Sequence, residues 1–171
     1  MNMIVNNTII FFVLLLICSC HQDAPTPPET ALEVVLTTST SEIGHGEALT
    51  VSIVVNNADS LYALAFELIY NPNIFDTDTT AISVGALFSD PFLISNANFL
   101  SPGVVPVSLA ELGNIQGSVS GTACSIILTS KNIGSDLLYI STLHMIKKGS
   151  ANDINEFNTL SIEPIEVQVV E

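Results

Sequence analysis

Length, composition and charge set the first bounds on this protein. The chain has 171 residues, with three Lys and Arg against 17 Asp and Glu, so its formal net charge is −14 at pH 7. Such a surface repels the phosphate backbone of nucleic acids and excludes them as partners, while a chain of this length builds one domain around one hydrophobic core.

The first 20 residues carry no charged side chain and predict a secretory leader. Their apolar run, 9–17, is shorter than the roughly 20 residues that span a bilayer. The following Ile17-Cys18-Ser19-Cys20 resembles the lipobox of bacterial lipoproteins, in which a cysteine after a small residue is lipidated and becomes the mature N-terminus. Ser19 favours Cys20 over Cys18 as that cysteine. No Lys or Arg precedes the run, so an uncleaved anchor or a cytosolic chain is the alternative.

A proline-rich segment follows the leader. Pro25, Pro27 and Pro28 lie among small and polar residues, which predicts an extended, semi-rigid linker. The predicted organisation is a lipoprotein signal peptide at 1–19, a linker at 20–30 and a folded domain at 31–171. The protein is thus expected to be a bacterial lipoprotein, held on a membrane by its N-terminal lipid and facing the periplasm or the cell exterior.

The segments before residue 60 predict short antiparallel strands that follow one another as a meander. Apolar residues at 32–36 and alternating ones at 50–56 indicate strands, and 42–47 and 56–59 have the composition of turns. His45 lies in the first of these turns. Since no second histidine or cysteine stands at ligand spacing, it is predicted to be a surface residue and not a metal ligand.

The stretch Leu61–Tyr70 has the alternation of a long strand, and Asn71-Pro72-Asn73 ends it with a turn. Alternation places one set of its side chains in the core: Tyr62, Leu64, Phe66, Leu68 and Tyr70. The other set points outward and is mild in character: Ala63, Ala65, Glu67 and Ile69. A chain of such strands predicts an all-β fold.

The middle of the chain contains an acidic loop and a strand with a proline. Asp76 and Asp78 resemble a Ca²⁺-binding pair, but Ca²⁺ takes six to eight oxygen ligands and no motif supplies them, so a solvated loop is favoured. In the strand 104–109, Ser108 is predicted to point outward. Pro106 cannot donate a hydrogen bond to a ladder, which predicts an edge strand or a bulge.

The last third of the chain predicts three more strands. Cys124, Ile126, Leu128 and Ser130 alternate inward, whereas Ser125 and Ile127 alternate outward. Cys124 is the only cysteine beyond the leader, so no internal disulfide forms, and it is expected to be a small core residue. Core positions change parity between 138–140 and 143–145, which predicts a bulge near 141–142. A final strand covers 165–169.

With the strands in order, the domain resembles a cohesin. The segment 65–72, Ala-Phe-Glu-Leu-Ile-Tyr-Asn-Pro, is similar to the family's Phe-x-Leu-x-Tyr-Asp-Pro, with Asn71 in place of the usual aspartate. The segment 121–131 is similar to its glycine-led late strand, with Cys124 where a small residue is usual. The resemblance implies an all-β fold, a nine-stranded antiparallel β-sandwich with jelly-roll topology.

The resemblance also implies a function, that of a non-catalytic module which binds a protein partner through one sheet face. Cohesins bind dockerins, which are small helical modules loaded with Ca²⁺, so no cofactor is expected here and Ca²⁺ enters only through a partner. The partner-binding residues implied are outward positions of the strands that would line this face: Ala65, Glu67, Ile69, Ser108, Ser125 and Ile127. Ordinary sheet surface is the alternative interpretation of these positions.

Two other functions compete with this one. A surface lipoprotein that binds polysaccharide on the same fold is the first, although the chain has no Trp and only three Tyr for a sugar platform. A hydrolase is the second, and it lacks a recognisable triad, zinc motif or pair of catalytic carboxylates. No catalytic residue and no metal site are therefore predicted.

Overall fold

The computed structural model describes residues 31–77, 81–95, 101–113, 118–147 and 162–171. The predicted leader, linker and lipidated Cys20 lie outside these ranges, as does Asp78. The described residues form eleven strands: β1 Glu33–Thr38, β2 Glu42–Gly44, β3 Ala48–Asp59, β4 Leu61–Ile69, β5 Phe75–Asp76, β6 Ile82–Val84, β7 Pro91–Ser95, β8 Val104–Glu111, β9 Ser118–Ser130, β10 Gly134–Lys147 and β11 Ile165–Val170.

The strands form two sheets, which confirms the predicted all-β sandwich. One sheet has the order β1-β3-β9-β5, with β6 also pairing β9, and the other has the order β2-β11-β10-β4-β8-β7. The described strands pair antiparallel, apart from the parallel pair β2 and β11. The number nine is not confirmed, since eleven strands are present in the described ranges, and β2, β5 and β6 are only two or three residues long.

Side-chain alternation builds the core between the sheets. The inward residues of β4, β8 and β9 are almost fully buried, as predicted: Leu64, Phe66, Leu68, Val105, Val107, Leu109, Cys124, Ile126 and Leu128. Burying one such aliphatic or aromatic side chain stabilises the fold by about 1.5–3 kcal/mol. The same alternation leaves each sheet with one outer face.

Tyr62 corrects the predicted core. Leu61 is buried, and Tyr62 is 41% exposed. In the pairing of β4 with β10, Ile146 lies opposite Ala63 and Lys147 opposite Leu61, so Tyr62 is an extra residue that the ladder passes over. A bulge of this kind reverses the parity of the strand, and it carries Tyr62 out of the core.

The expected meander is confirmed for the predicted strands at 32–36 and 50–56, because β1 pairs antiparallel with β3, but it is wrong for the step to β4, which belongs to the other sheet. The predicted turn at 56–59 lies within β3, where a bulge separates Val55 from Ala58 and Asn57 has a positive φ of 58°. The chain turns at Ser60, with a φ of 54°, and then enters the other sheet as β4. Strands that follow each other in sequence therefore do not lie side by side at this point.

Two details of the six-stranded sheet bear on its outer face. The predicted bulge is confirmed, because Ile140 pairs with Leu68 and Thr142 with Glu67, leaving Ser141 as the extra residue. Pro106 lies in an inner strand, so the expectation of an edge strand or a bulge is wrong. The described pairing of β8 with β7 ends at Val107, opposite Ser95.

Candidate functional site

The structure divides the six predicted binding residues between two opposite surfaces. Four of them come together on β4 and β8 of the six-stranded sheet: Ala65, Glu67, Ile69 and Ser108. Ser108 lies directly opposite Ala65. Ser125 and Ile127 lie on β9 of the five-stranded sheet, where they pair with Ser52 and Thr50. The outward sides of the two sheets face away from each other, so the prediction that all six share one face is wrong.

The outer surface of four neighbouring strands, β10, β4, β8 and β7, is mostly apolar, and we call it the apolar face. Pairing places its side chains in four rows across the strands: Tyr139, Ile69 and Val104; Thr142, Glu67 and Pro106; His144, Ala65, Ser108 and Ile94; Ile146, Ala63, Ala110 and Phe92. Strands about 4.8 Å apart make this surface roughly 14 Å wide, and six residues along a strand make it roughly 20 Å long.

Large side chains on the apolar face are left in solvent. Phe92 is 50% exposed, Ile94 57%, Tyr139 40% and Ile146 37%. A single exposed aliphatic needs no explanation, but contiguous apolar side chains mark a contact surface. A helix about 10 Å in diameter fits across a surface of this size.

One carboxylate stands in the second row of this surface. Glu67 is partly buried, and its Oε2 accepts a hydrogen bond of 2.9 Å from the hydroxyl of Ser141. Ser141 is the bulge residue of β10, so the bulge supplies this donor. On the described part of the apolar face, no other Asp or Glu points outward.

A second carboxylate fixes the edge of the apolar face. Glu111, at the end of β8, accepts hydrogen bonds from the backbone N–H groups of Ser89 (2.6 Å), Asp90 (3.0 Å) and Gly113 (2.8 Å), and from the Ser89 hydroxyl (3.2 Å). Burial alone would raise the pKa of Glu111, but these hydrogen bonds outweigh it and hold the pKa below its ordinary value. The ionised carboxylate thereby ties the start of β7 to the end of β8.

The outer surface of the five-stranded sheet is different, and we call it the hydroxyl face. Thr37, Ser52, Ser125 and Ser83 form one row across β1, β3, β9 and β6. The Ser52 and Ser125 hydroxyl oxygens lie 2.8 Å apart, and Thr37 and Ser83 donate to the backbone carbonyls of Ser52 and Ser125. Ile127, 43% exposed, is the large apolar side chain of this surface.

The remaining sequence candidates have structural roles. Cys124 is buried, and burial raises the pKa of its thiol to about 12, so it is a protonated core residue. His45 is exposed, and its Nε2 lies 2.9 Å from the Lys131 carbonyl oxygen, as befits a turn residue. Over the described ranges, no three His, Cys, Asp or Glu side chains come together as a metal site would require. The same residues contain no helix that is long and apolar enough to span a membrane.

Part of the apolar face was missed in the sequence. Ile146 and Tyr139 on β10 and Phe92 and Ile94 on β7 join the predicted residues only through strand pairing. One signal was present for Ile146. After the parity change at the bulge, Met145 points into the core, so its neighbour Ile146 points outward. No signal in the sequence says that β7 and β10 flank β8 and β4.

Comparison with known proteins gives the fold a name. No protein-family model and no curated protein matches the chain. Among solved structures, a non-cellulosomal cohesin from Archaeoglobus fulgidus is similar at a TM-score of 0.64 and 14% identity, covering 83% of this chain and 93% of its own. A type II cohesin domain from the cellulosome of Acetivibrio cellulolyticus is similar at 0.66 and 11%, covering 81% and 95%.

A third similar structure is the cohesin module of a family 33 glycoside hydrolase from Clostridium perfringens, at a TM-score of 0.62 and 19% identity, covering 82% of this chain and 97% of its own. Two packed sheets without a helix in the described ranges first define the domain as a β-sandwich. The similarity to these structures then defines it more closely, and the domain has the cohesin fold.

Proposed function

We propose that this protein is a non-catalytic module that binds a protein partner on the apolar face. The observation that carries the proposal is the contiguous, exposed set of apolar side chains on four neighbouring strands, which includes Phe92, Ile94, Tyr139 and Ile146. Covering such a set removes it from water, at about 25 cal/mol for each Å² buried.

The partner class we propose is a dockerin-like module carrying its own Ca²⁺. A type II cohesin similar to this chain, at a TM-score of 0.66 and 10% identity, was solved in a complex with an X-dockerin from Acetivibrio cellulolyticus. A dockerin-bearing enzyme that degrades polysaccharide would be recruited in this way, with no metal ion held by the cohesin-like domain.

A protein ligand fits the apolar face better than a polysaccharide does. Sugar rings stack on neighbouring aromatic side chains, whereas the two exposed aromatics in the rows of this face, Phe92 and Tyr139, lie on its two outer strands, β7 and β10. They are separated by about 14 Å across the strands and by about 20 Å along them, since Tyr139 lies in the first row and Phe92 in the fourth. Aliphatic side chains fill the space between, and these suit the apolar side of a helix.

Lipidation at Cys20 would display the domain outside the cytoplasm, in the periplasm or on the cell exterior. Fatty-acid labelling of the full-length protein in a bacterial host should mark the wild type and fail for Cys20→Ala. Equal labelling of the two would contradict the anchor. It would leave the proposed binding face untouched, because the anchor and the face are separate parts of the chain.

A pull-down tests the binding proposal. The full-length protein and its Ile146→Asp variant serve as baits for the secreted proteins of the source organism, with and without a Ca²⁺ chelator. We expect the wild type to capture a protein with duplicated Ca²⁺-binding loops, and both the chelator and Ile146→Asp to prevent this. Capture that survives Ile146→Asp would contradict binding through the apolar face.

A further inference from the structure

The position of Glu67 says what the partner must bring to the apolar face. Its neighbours in the rows and on its own strand are Ala65, Ile69, Pro106 and Thr142, none of which carries a charge. A partner that covers these side chains also removes the Glu67 carboxylate from water. An ionised carboxylate taken out of water without a counter-charge is strongly unfavourable.

The protein itself offers this carboxylate little compensation. Ser141 donates one hydrogen bond, to Oε2. Among the described side chains, no hydrogen bond reaches the other oxygen, Oε1, so at least one acceptor is left for a ligand. One oxygen of the Glu67 carboxylate is thus hydrogen-bonded within the domain, and the other is left for a ligand.

Neither of the two described lysines of the chain pairs with Glu67. Lys147 forms an ion pair with Asp59 at 3.0 Å, beyond the last row of the apolar face. Lys131 follows β9, a strand of the opposite sheet, and its backbone N–H bonds to the carbonyl of Ile74. His144 stands one row away, opposite Ala65, and is the other side chain on this face that can carry a positive charge.

We propose that the partner presents one Lys or Arg side chain to Glu67 at the centre of an otherwise apolar contact. This inference rests on the proposed function. An Arg would match the carboxylate with two donors and a Lys with a point charge. Either one offsets the free-energy cost of removing the carboxylate from water, which a neutral donor offsets only in small part. The formal charge of −14 also attracts a basic partner at long range.

Specificity follows from the same geometry. A partner of similar shape with an apolar or acidic side chain at this point leaves Glu67 buried and unpaired, or repelled. Truncating one member of a buried charge pair weakens binding by about 30-fold or more. Glu67 therefore selects among helical partners that the apolar side chains alone would accept.

Display of a fragment library supplies a defined probe. Protein fragments encoded by the genome of the source organism are displayed on yeast in the presence of Ca²⁺ and selected with the full-length wild-type protein. The selected clones are then titrated with Glu67→Gln, Glu67→Lys and Ile146→Asp. Glu33→Lys is the matched control, since it makes the same change of charge on an exposed residue of β1 in the other sheet.

We expect the selected clones to bind Glu67→Lys at least about 100-fold more weakly than the wild type, and Glu67→Gln at least about 10-fold more weakly, with Glu33→Lys within about twofold. Changing a single Lys or Arg of the clone to Glu should restore binding to Glu67→Lys. Such a reversal identifies the partner's cation directly.

Other outcomes overturn the inference in distinguishable ways. Clones that lose binding with Ile146→Asp but keep it with Glu67→Lys would refute the cation and leave the proposed function standing. A selection in which no clone depends on Ile146 would refute both.

Discussion

The two outer faces of the sandwich are made of the same kind of strand, yet their side chains interact differently with water. On the hydroxyl face, Thr37, Ser52, Ser83 and Ser125 satisfy one another or the backbone. On the apolar face, side chains such as Phe92 stand in solvent without a polar partner of that kind. What distinguishes the proposed binding surface from the hydroxyl face is thus an apolar area left uncovered, and not a charge or a concave shape.

Net charge does not separate the two faces. Most Asp and Glu of the described residues lie at strand ends and in loops, and Glu67 at the centre of the apolar face is an exception. A sheet face with internally satisfied hydroxyls gains little when it is covered, since each of its hydrogen bonds is already made. The apolar face gains from every Å² that is covered.

The largest expected effect tests the alternation on which the comparison depends. Phe66→Ala removes a side chain that is 2% exposed, and it should lower the free energy of unfolding by about 3–5 kcal/mol. Glu67→Ala, its neighbour on the apolar face, should change it by about 0.5 kcal/mol or less. Denaturant unfolding of both variants checks this. Equal losses in the free energy of unfolding would mean that β4 does not alternate as described, and its side chains would have to be assigned to the core and the outer face anew.

A smaller effect concerns the acid sensitivity of the apolar face. The pKa of Glu111 is lower in the folded protein than its ordinary value of 4.5, so its ionised form stabilises the fold above that pH and the stabilisation is lost as the pH falls through the folded pKa. Glu111→Gln should cost about 1–3 kcal/mol near neutral pH, because the backbone donors of Ser89, Asp90 and Gly113 lose acceptors.

The difference between the wild type and Glu111→Gln should shrink as the pH falls below 4.5 and should be lost below the lower pKa of the folded protein, since the wild-type carboxylate is neutral only there. Denaturant unfolding at neutral pH and well below pH 4.5 measures it. A constant difference across this range would show that the carboxylate does not tie β7 to β8 through its charge.

The smallest effect is expected on the hydroxyl face. Replacing both Ser52 and Ser125 by Val removes the 2.8 Å contact between their hydroxyls, and neither hydroxyl is left without its partner. The double variant should therefore unfold within about 1 kcal/mol of the wild type, and its affinity for the captured protein should change less than about twofold. Lost affinity with an unchanged unfolding curve would show that the hydroxyl face also binds, and the comparison would fail.

Alternation in the sequence was sufficient to predict most of the core. The buried residues of β8 follow a strict period of two, as do those of β9 from Cys124 onward, and the change of parity on β10 located the bulge at Ser141. Tyr62 was missed, because a bulge beside a turn reverses parity within a single residue and leaves no second apolar pair by which to detect it.

The site could be predicted only in part, because chain order does not say which strands are neighbours. Ala65, Glu67, Ile69 and Ser108 were placed together correctly, since β4 and β8 pair. Ser125 and Ile127 have the same outward parity but lie on the other sheet. The pattern along a strand identifies inward and outward positions, whereas the assignment of a strand to a sheet depends on contacts between residues far apart in sequence.

The most direct test of the account compares two exposed isoleucines, one on each face. Ile146 on the apolar face and Ile127 on the hydroxyl face are 37% and 43% exposed, so replacing either by Asp makes a similar local change. Titration calorimetry of both variants against the captured protein is the measurement. Ile146→Asp should weaken binding by at least about 100-fold, because it buries an unpaired charge, and Ile127→Asp should leave it within about twofold. Wild-type affinity for Ile146→Asp with a loss for Ile127→Asp would place the binding site on the opposite sheet.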